Sequence, residues 1–213
     1  MRPWLLLKQF DIPFDEVMVR FDGFTPESQF KQRIKPISPT GRVPVLVHGE
    51  FVVWDTLAIA ETLAELFPQL ALWPRHAVAR ARARSVCAEM HSGFTSLRNH
   101  CPMNIEASFP DIGARLLTEQ NDVHSDLQRI VSLWQSALAT SGGPFLFGDY
   151  TIADAYYAPV VTRIRTYALP VPDDVAAYCQ RIFDTSSMRA WVRDALLEND
   201  YVAEDEPYRS RRE

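Results

Sequence analysis

Two short β-branched runs, residues 43–47 and 51–54, flank His48-Gly49-Glu50. Runs of that length around a glycine-containing loop predict a hairpin. After it, Ile59, Leu63 and Leu66 combine with Ala60, Ala64 and Phe67 into a broad apolar stripe, while Glu61 and Glu65 face away. The spacing predicts an amphipathic helix over residues 55–67. Asp55 or Thr56 can cap its first N–H groups, and Pro68 ends it. Ahead of the hairpin, residues 3–10 predict a helix with Pro3 in the first turn. Residues 14–21, with Val17, Val19 and Phe21 apolar, predict a strand, and residues 24–35 a weak helix or an irregular loop. Pro36-Ile37-Ser38-Pro39-Thr40-Gly41 is punctuation before the hairpin.

From Pro74 onward every periodic segment is helical. Residues 69–74 read as a linker, with Leu72 and Trp73 docking onto a second domain. Residues 75–98 place Ala83, Val86, Cys87, Met90, Phe94 and Leu97 on one face. Residues 112–140 do the same with Leu116, Val123, Leu127, Ile130, Val131, Trp134, Ala137 and Leu138, so two long helices are expected. Asn99-His100-Cys101-Pro102-Met103-Asn104 interrupts them at a proline. Thr151 and Asp154 have the spacing of a capping box, with Asp in place of the usual Glu or Gln, and Tyr150 and Ala155 are placed as a hydrophobic staple. Two further short helices follow, around Val175, Tyr178, Cys179, Ile182 and Phe183, and around Met188, Trp191, Val192, Ala195 and Leu196. The polar tail from residue 204 is expected to fray. The division is residues 1–68, an α/β domain; residues 75–200, an all-α bundle; and residues 201–213, a tail.

Composition narrows the functional classes. The net charge of −5 and pI near 5.6 give no footprint for nucleic acid or an anionic membrane surface. No run approaches a membrane span, and the apolar centre near the start is too short for a signal peptide. Cys87, Cys101 and Cys179 are widely spaced and odd in number, which fits a reduced, cytoplasmic chain. The five histidines show no zinc-like spacing, so no metal is expected. Cys87 reads as a small core residue. Arg80, Arg82 and Arg84 spread around their helix toward a solvated or dimer-facing surface.

Pro44 sits one residue inside a strand and cannot donate to a ladder. That fits if the strand's edge faces a ligand and Val43–Pro44 is cis to expose it. Val43-Pro44, the hairpin and Asp55-Thr56 together resemble the glutathione site of the glutathione transferases, as does the Gly148-Asp149-Tyr150-Thr151-Ile152-Ala153-Asp154-Ala155 box in the helical half. The resemblance covers essentially the whole chain. It implies a thioredoxin-like α/β N-terminal domain plus an all-α C-terminal bundle, acting as a homodimer on glutathione and a small hydrophobic electrophile. Carried onto this sequence, the backbone of Val43, before Pro44, pairs the cysteinyl part of glutathione. Asp55 and Thr56 hold the two ends of its γ-glutamyl group, and a helix N-terminus suits the carboxylate. A hairpin followed by an ordinarily capped helix accounts for the same residues. His91-Ser92-Gly93-Phe94-Thr95-Ser96-Leu97-Arg98 and Cys101-Pro102-Met103-Asn104 look like a stretch in a little-characterised bacterial branch of the family. Phe94, Arg98, Cys101 and Met103 are the expected wall of the electrophile pocket, with an ordinary helix connection as the alternative.

Against the family's β-α-β-α-β-β-α order, this chain begins inside the first helix, at Arg2-Pro3-Trp4. No residue of the sequence occupies the position of the thiol-activating hydroxyl or thiol, which is expected ahead of Met1. The absent strand would lie between the strand at 14–21 and the hairpin, leaving their backbone groups unpaired. Either the natural chain starts further upstream or this is a truncated relative; the intact patterning of the rest favours the first. A glutathione-dependent isomerase or reductase, and a non-catalytic binding module, remain rival readings on the same scaffold.

Overall fold

A computed structural model describes residues 1–23 and 25–210. Helix α1 (Arg2–Gln9) buries Trp4, Leu5, Leu6 and Leu7 with Pro3 in its first turn. A short α2 (Gln29–Ile34) follows, capped by the Ser28 hydroxyl, and resolves the segment expected to be helix or loop; Phe24 lies outside the described residues. Strands β1 (Val45–His48) and β2 (Phe51–Trp54) pair antiparallel, with Val45 opposite Trp54 and His48 opposite Phe51. Gly49, at φ +58°, supplies the left-handed step that the turn needs. Val43 and Pro44 stand just before β1, and the bond between them is cis, as expected. Helix α3 (Thr56–Leu66) buries Ile59, Ala60 and Leu63.

The strand expected over residues 14–21 is not formed. That segment carries no ladder, and the sheet of the described residues holds β1 and β2 alone. An isolated strand has nothing to satisfy its backbone donors, so alternation alone does not make one. Side chains fasten the segment instead: Trp4 Nε1 donates to Glu16 at 2.9 Å, and Arg20 pairs with Asp200 at 2.8 Å. Val17 stays 79% exposed, where a strand in a covered sheet would have buried it.

Both long helices expected in the second half are broken. The first divides into α4 (Ala77–Ser92) and α5 (Thr95–His100). Phe94 adopts a left-handed conformation between them, and a side chain on Gly93 would lie 2.7 Å from the Glu89 carbonyl. The second divides at Gln120 into α6 (Pro110–Glu119) and α7 (Asn121–Ser141). The apolar spacing runs through both breaks because the faces stay in register with the core. Gly113 lets α6 touch the chain at the end of the helix over Ile152–Thr166, where an added Cβ would fall 1.8 Å from the Tyr167 carbonyl.

Helix α8 (Ile152–Thr166) is the axis of the molecule, with almost every residue buried. It packs on α1 and α4 and on α9 (Asp173–Asp184), while α10 (Ser186–Glu198) closes over α1. Leu72 and Trp73 are buried as the linker docks, and the Leu72 carbonyl accepts from Ile152 N–H at 2.9 Å. The tail does not fray over its described part. Tyr208 donates to the His100 carbonyl at 2.7 Å, and Arg209 pairs with Glu106 and Glu206.

The capping box opens α8. The Thr151 hydroxyl accepts from Ala153 N–H at 3.3 Å, and Asp154 reaches back to Thr151 N–H at 2.8 Å. The fully buried Asp154 carboxylate also accepts from Leu146 N–H, the Thr151 hydroxyl and the Tyr178 hydroxyl. Burial pushes its pKa up to about 6, against those donors. The folded protein therefore holds this proton more tightly than the unfolded chain, so the contribution of Asp154 to stability falls as pH rises from about 4 through about 6.

Thr151→Ala is expected to cost about 1 kcal/mol or more in denaturant unfolding. Asp154→Ala should cost roughly 3 kcal/mol, because it strands several buried donors at once; equal losses would show that the carboxylate is dispensable. Hydrogen exchange should find the β1–β2 amides far less protected than those of α7 and α8. Full hairpin protection in one cooperative transition would contradict that expectation.

Candidate functional site

Asp55 follows β2 and caps α3. Its φ of 72° is rare for a residue with a side chain, and the strain is held by a hydrogen bond from Leu57 N–H to Oδ1 at 2.8 Å. The other oxygen, Oδ2, lies 3.4 Å from Nε2 of His91, near the end of α4. Thr56 is the first residue of α3, and its hydroxyl lies 2.7 Å from the Tyr156 hydroxyl on α8. Nδ1 of His91 sits 3.1 Å from the same Tyr156 hydroxyl. Asp55, His91, Tyr156 and Thr56 thus form one connected set across the boundary between the α/β and helical halves. Asp55 and His91 are exposed on its solvent side, and Tyr156 is fully buried beneath it. Burial raises the Tyr156 phenol above its ordinary range, with the Thr56 hydrogen bond opposing, so the group keeps its proton.

Three arginines stand around this set. Arg2 Nε donates to the Tyr156 carbonyl at 2.9 Å, and its guanidinium lies 4.5 Å from the centre of the Tyr156 ring. Arg98 donates to the His91 carbonyl at 3.2 Å. Arg163 donates to the carbonyls of Cys101, at 2.7 Å, and Pro159, at 2.9 Å. Burial lowers the pKa of Arg2, with Arg98 adding to the effect, and brings Arg163 down to about 10, with Arg2 and Arg98 adding. Among the described residues, the hydrogen bonds of all three go to backbone carbonyls, and the Asp55 carboxylate acts on Arg2 through space.

Of the residues expected at the site, Asp55 and Thr56 are brought together, and Arg98 reaches them through His91. Val43 and Pro44 are exposed at the approach to β1. Phe94 is buried at the turn between α4 and α5, and Met103 is half-buried beyond α5. Cys101 is fully buried; burial lifts its thiol to about 12, and its carbonyl carries Arg163. Sequence reasoning did not single out Tyr156, Arg2 or Arg163; it set His91 aside with the other histidines for want of zinc-like spacing and named it otherwise only within the string 91–98. The one available signal was Tyr156-Tyr157 between the apolar runs of this helix, since buried tyrosines need partners for their hydroxyls. Among the described residues no group of three or more His, Cys, Asp or Glu side chains could hold a metal ion, and no helix is long and apolar enough to cross a membrane.

The sequence matches the profile of the glutathione S-transferase N-terminal domain over residues 1–66 and that of the C-terminal domain over residues 77–181. A probable maleylacetoacetate isomerase of Caenorhabditis elegans is 36% identical over 170 residues, which is 78% of this chain and 72% of that protein. The dichloromethane dehalogenase of Methylorubrum extorquens is 38% identical over 66 residues, 30% of this chain, and the match spans only 22% of that relative's length. Among solved structures, a glutathione transferase homolog from Burkholderia gl BGR1 with bound glutathione superposes with a TM-score of 0.67 at 24% identity, covering 91% of this chain and 89% of that one.

All three cysteines are buried and carry raised thiol pKa values. None should react with a disulfide reagent in the native protein, and all three should react on unfolding. Prompt labelling of Cys101 in the folded protein would contradict its placement.

Proposed function

Since the chain belongs to the glutathione S-transferase family, we propose that it binds glutathione at Val43, Pro44, Asp55 and Thr56 and directs the sulfur onto a small electrophile. The observation that carries this reading is the Asp55–Thr56 opening of α3. A carboxylate locked by Leu57 N–H is presented beside a hydroxyl and the free N–H groups of a helix start. Asp55 pairs the γ-glutamyl ammonium, the helix start and Thr56 take the adjacent carboxylate, and the Val43 backbone pairs the cysteinyl unit. The bound thiolate then attacks an electrophilic carbon, with orientation as the protein's main contribution. The thiol-activating group is not assigned to any residue of this sequence. The structure of the Burkholderia homolog with bound glutathione supports the ligand. Val47, Phe51 and Trp54, exposed on the hairpin, support a homodimer, and three unpaired cysteines support the cytoplasm.

One observation favours a second reading. Among the described residues, the hydrogen bonds of Arg2, Arg98 and Arg163 go to backbone carbonyls, which suits an acidic electrophile better than a purely hydrophobic one. A glutathione-dependent isomerase of carboxylated substrates fits that corner, in line with the name of the C. elegans relative.

Asp55→Ala should weaken glutathione binding about tenfold or more in a calorimetric titration, the loss of a charged hydrogen bond. Unchanged affinity would remove Asp55 from the site. Turnover of a carboxylated electrophile should show KM raised about tenfold by Arg98→Ala, with a neutral electrophile unaffected. Equal effects on both would favour the hydrophobic pocket, and glutathione binding without turnover of either would favour a non-catalytic module.

A further inference from the structure

The Thr56 hydroxyl has one hydrogen to give, and its rotor turns that hydrogen toward whichever acceptor is in reach. A second hydroxyl is already in reach. Tyr156, on α8, places its oxygen 2.7 Å from Thr56 Oγ1 and 3.1 Å from His91 Nδ1. Two arrangements satisfy both contacts with His91 neutral. In the first, Thr56 donates to Tyr156, Tyr156 donates to His91 Nδ1, and Thr56 turns only lone pairs outward. In the second, His91 donates from Nδ1 to the Tyr156 oxygen, Tyr156 donates to Thr56, and the Thr56 hydrogen is left for a ligand. Both hold the same number of protons; they differ in which ring nitrogen of the exposed His91 carries its hydrogen. A carboxylate only accepts, so its arrival at Thr56 selects the second.

We propose that Tyr156 is a positioning residue for glutathione: its hydroxyl donates to Thr56 Oγ1 and so aims the Thr56 hydrogen at the γ-glutamyl carboxylate, which makes the site selective for ligands that carry that carboxylate. The inference rests on the glutathione reading. It adds a residue of the helical half that acts on the ligand only through Thr56.

The build of the site suits Tyr156 to that task. Thr56 is half-buried at the rim, whereas Tyr156 is fully buried behind it. Arg2 fixes Tyr156 twice, through its carbonyl at 2.9 Å and over its ring face at 4.5 Å. Burial holds the phenol above its ordinary range, so Tyr156 keeps its hydrogen and serves as a donor and not as a base. A donor already held by a packed helix is ordered before the ligand arrives, so binding does not bear the cost of ordering it. The same contact also ties α3 to α8. A tie alone would act on stability and on every ligand alike, whereas aiming the Thr56 hydrogen acts only on a ligand with a carboxylate to receive it.

The test is calorimetry of the full chain with two probes. S-methylglutathione has a blocked thiol and keeps the γ-glutamyl carboxylate. Its analogue, γ-aminobutyryl-S-methylcysteinylglycine, has hydrogen in place of that carboxylate and keeps the ammonium for Asp55. Tyr156→Phe removes one oxygen and leaves the ring and its Arg2 contact. It should weaken S-methylglutathione about tenfold, the loss of an aligned hydrogen bond to a charge, and leave the analogue unchanged. Thr56→Val should weaken S-methylglutathione to a similar degree, and adding Tyr156→Phe to it should weaken it no further. Thr56→Ser keeps a hydroxyl and should stay sensitive to Tyr156→Phe. A second measurement leaves Tyr156 in place. With tyrosine isotope-labelled at Cζ, the resonance that Thr56→Val displaces should also shift in the wild type on adding S-methylglutathione, and stay put with the analogue. Equal changes for the two probes in Tyr156→Phe, additive losses in the double variant, or no tyrosine resonance answering S-methylglutathione would each overturn the positioning role and leave the glutathione site standing. Failure of the wild type to bind S-methylglutathione would overturn the glutathione reading and this inference with it.

Discussion

The buried carboxylate of Asp154 is the constraint on which the rest of the structure depends. It draws in donors from three places: Leu146 before the helix, Thr151 at its cap and Tyr178 on α9. A charge taken out of water is tolerated only where such donors surround it. Their geometry fixes where α8 begins and how it is turned. Tyr156 lies just beyond, so the same bonds fix the hydroxyl that Thr56 and His91 share. A folding device in the helical half thereby sets the geometry of a candidate site whose proposed ligand contacts belong to the other half.

That dependence explains the unequal build of the two halves. In the helical half, α4, α7, α8 and α9 bury their faces on one another, and Trp134 meets the Tyr157 and Tyr178 rings edge-on. In the α/β half, the two-stranded sheet leans on α3, α3 leans on α1, and α1 in turn leans on α8 and α10. The core runs without a break from Leu5 and Leu6 into α8. The small half is held less by its own sheet than by the helices behind it, which leaves Val43, Val47 and Trp54 facing outward.

Much of this was legible in the sequence where the signal is local. The hairpin, the Asp55 cap and the Thr151–Asp154 box all follow from residue types at short spacings, where the chemistry of a turn or cap leaves few options; the cis bond at Pro44 was inferred from context and is not fixed by residue type. Breaks within a continuous apolar stripe were not legible. Phe94 keeps its place in the period while adopting a backbone conformation that ends the helix. The strand over residues 14–21 failed for a complementary reason: alternation shows that a segment could pair, and a strand also needs a neighbour. The partners of Thr56 were hidden because Tyr156 and His91 lie far from it in sequence and reach it only once α4 and α8 have packed.

The start of α3, braced by Tyr156 and His91 from the helical half, is where we propose that glutathione binds. A crystal structure of the complex with S-methylglutathione tests it most directly. The expected complex has the γ-glutamyl carboxylate on the Thr56 hydroxyl and the first N–H groups of α3, the ammonium on Asp55, and the cysteinyl backbone along Val43. A ligand seated elsewhere, with Asp55 and Thr56 untouched, would contradict it.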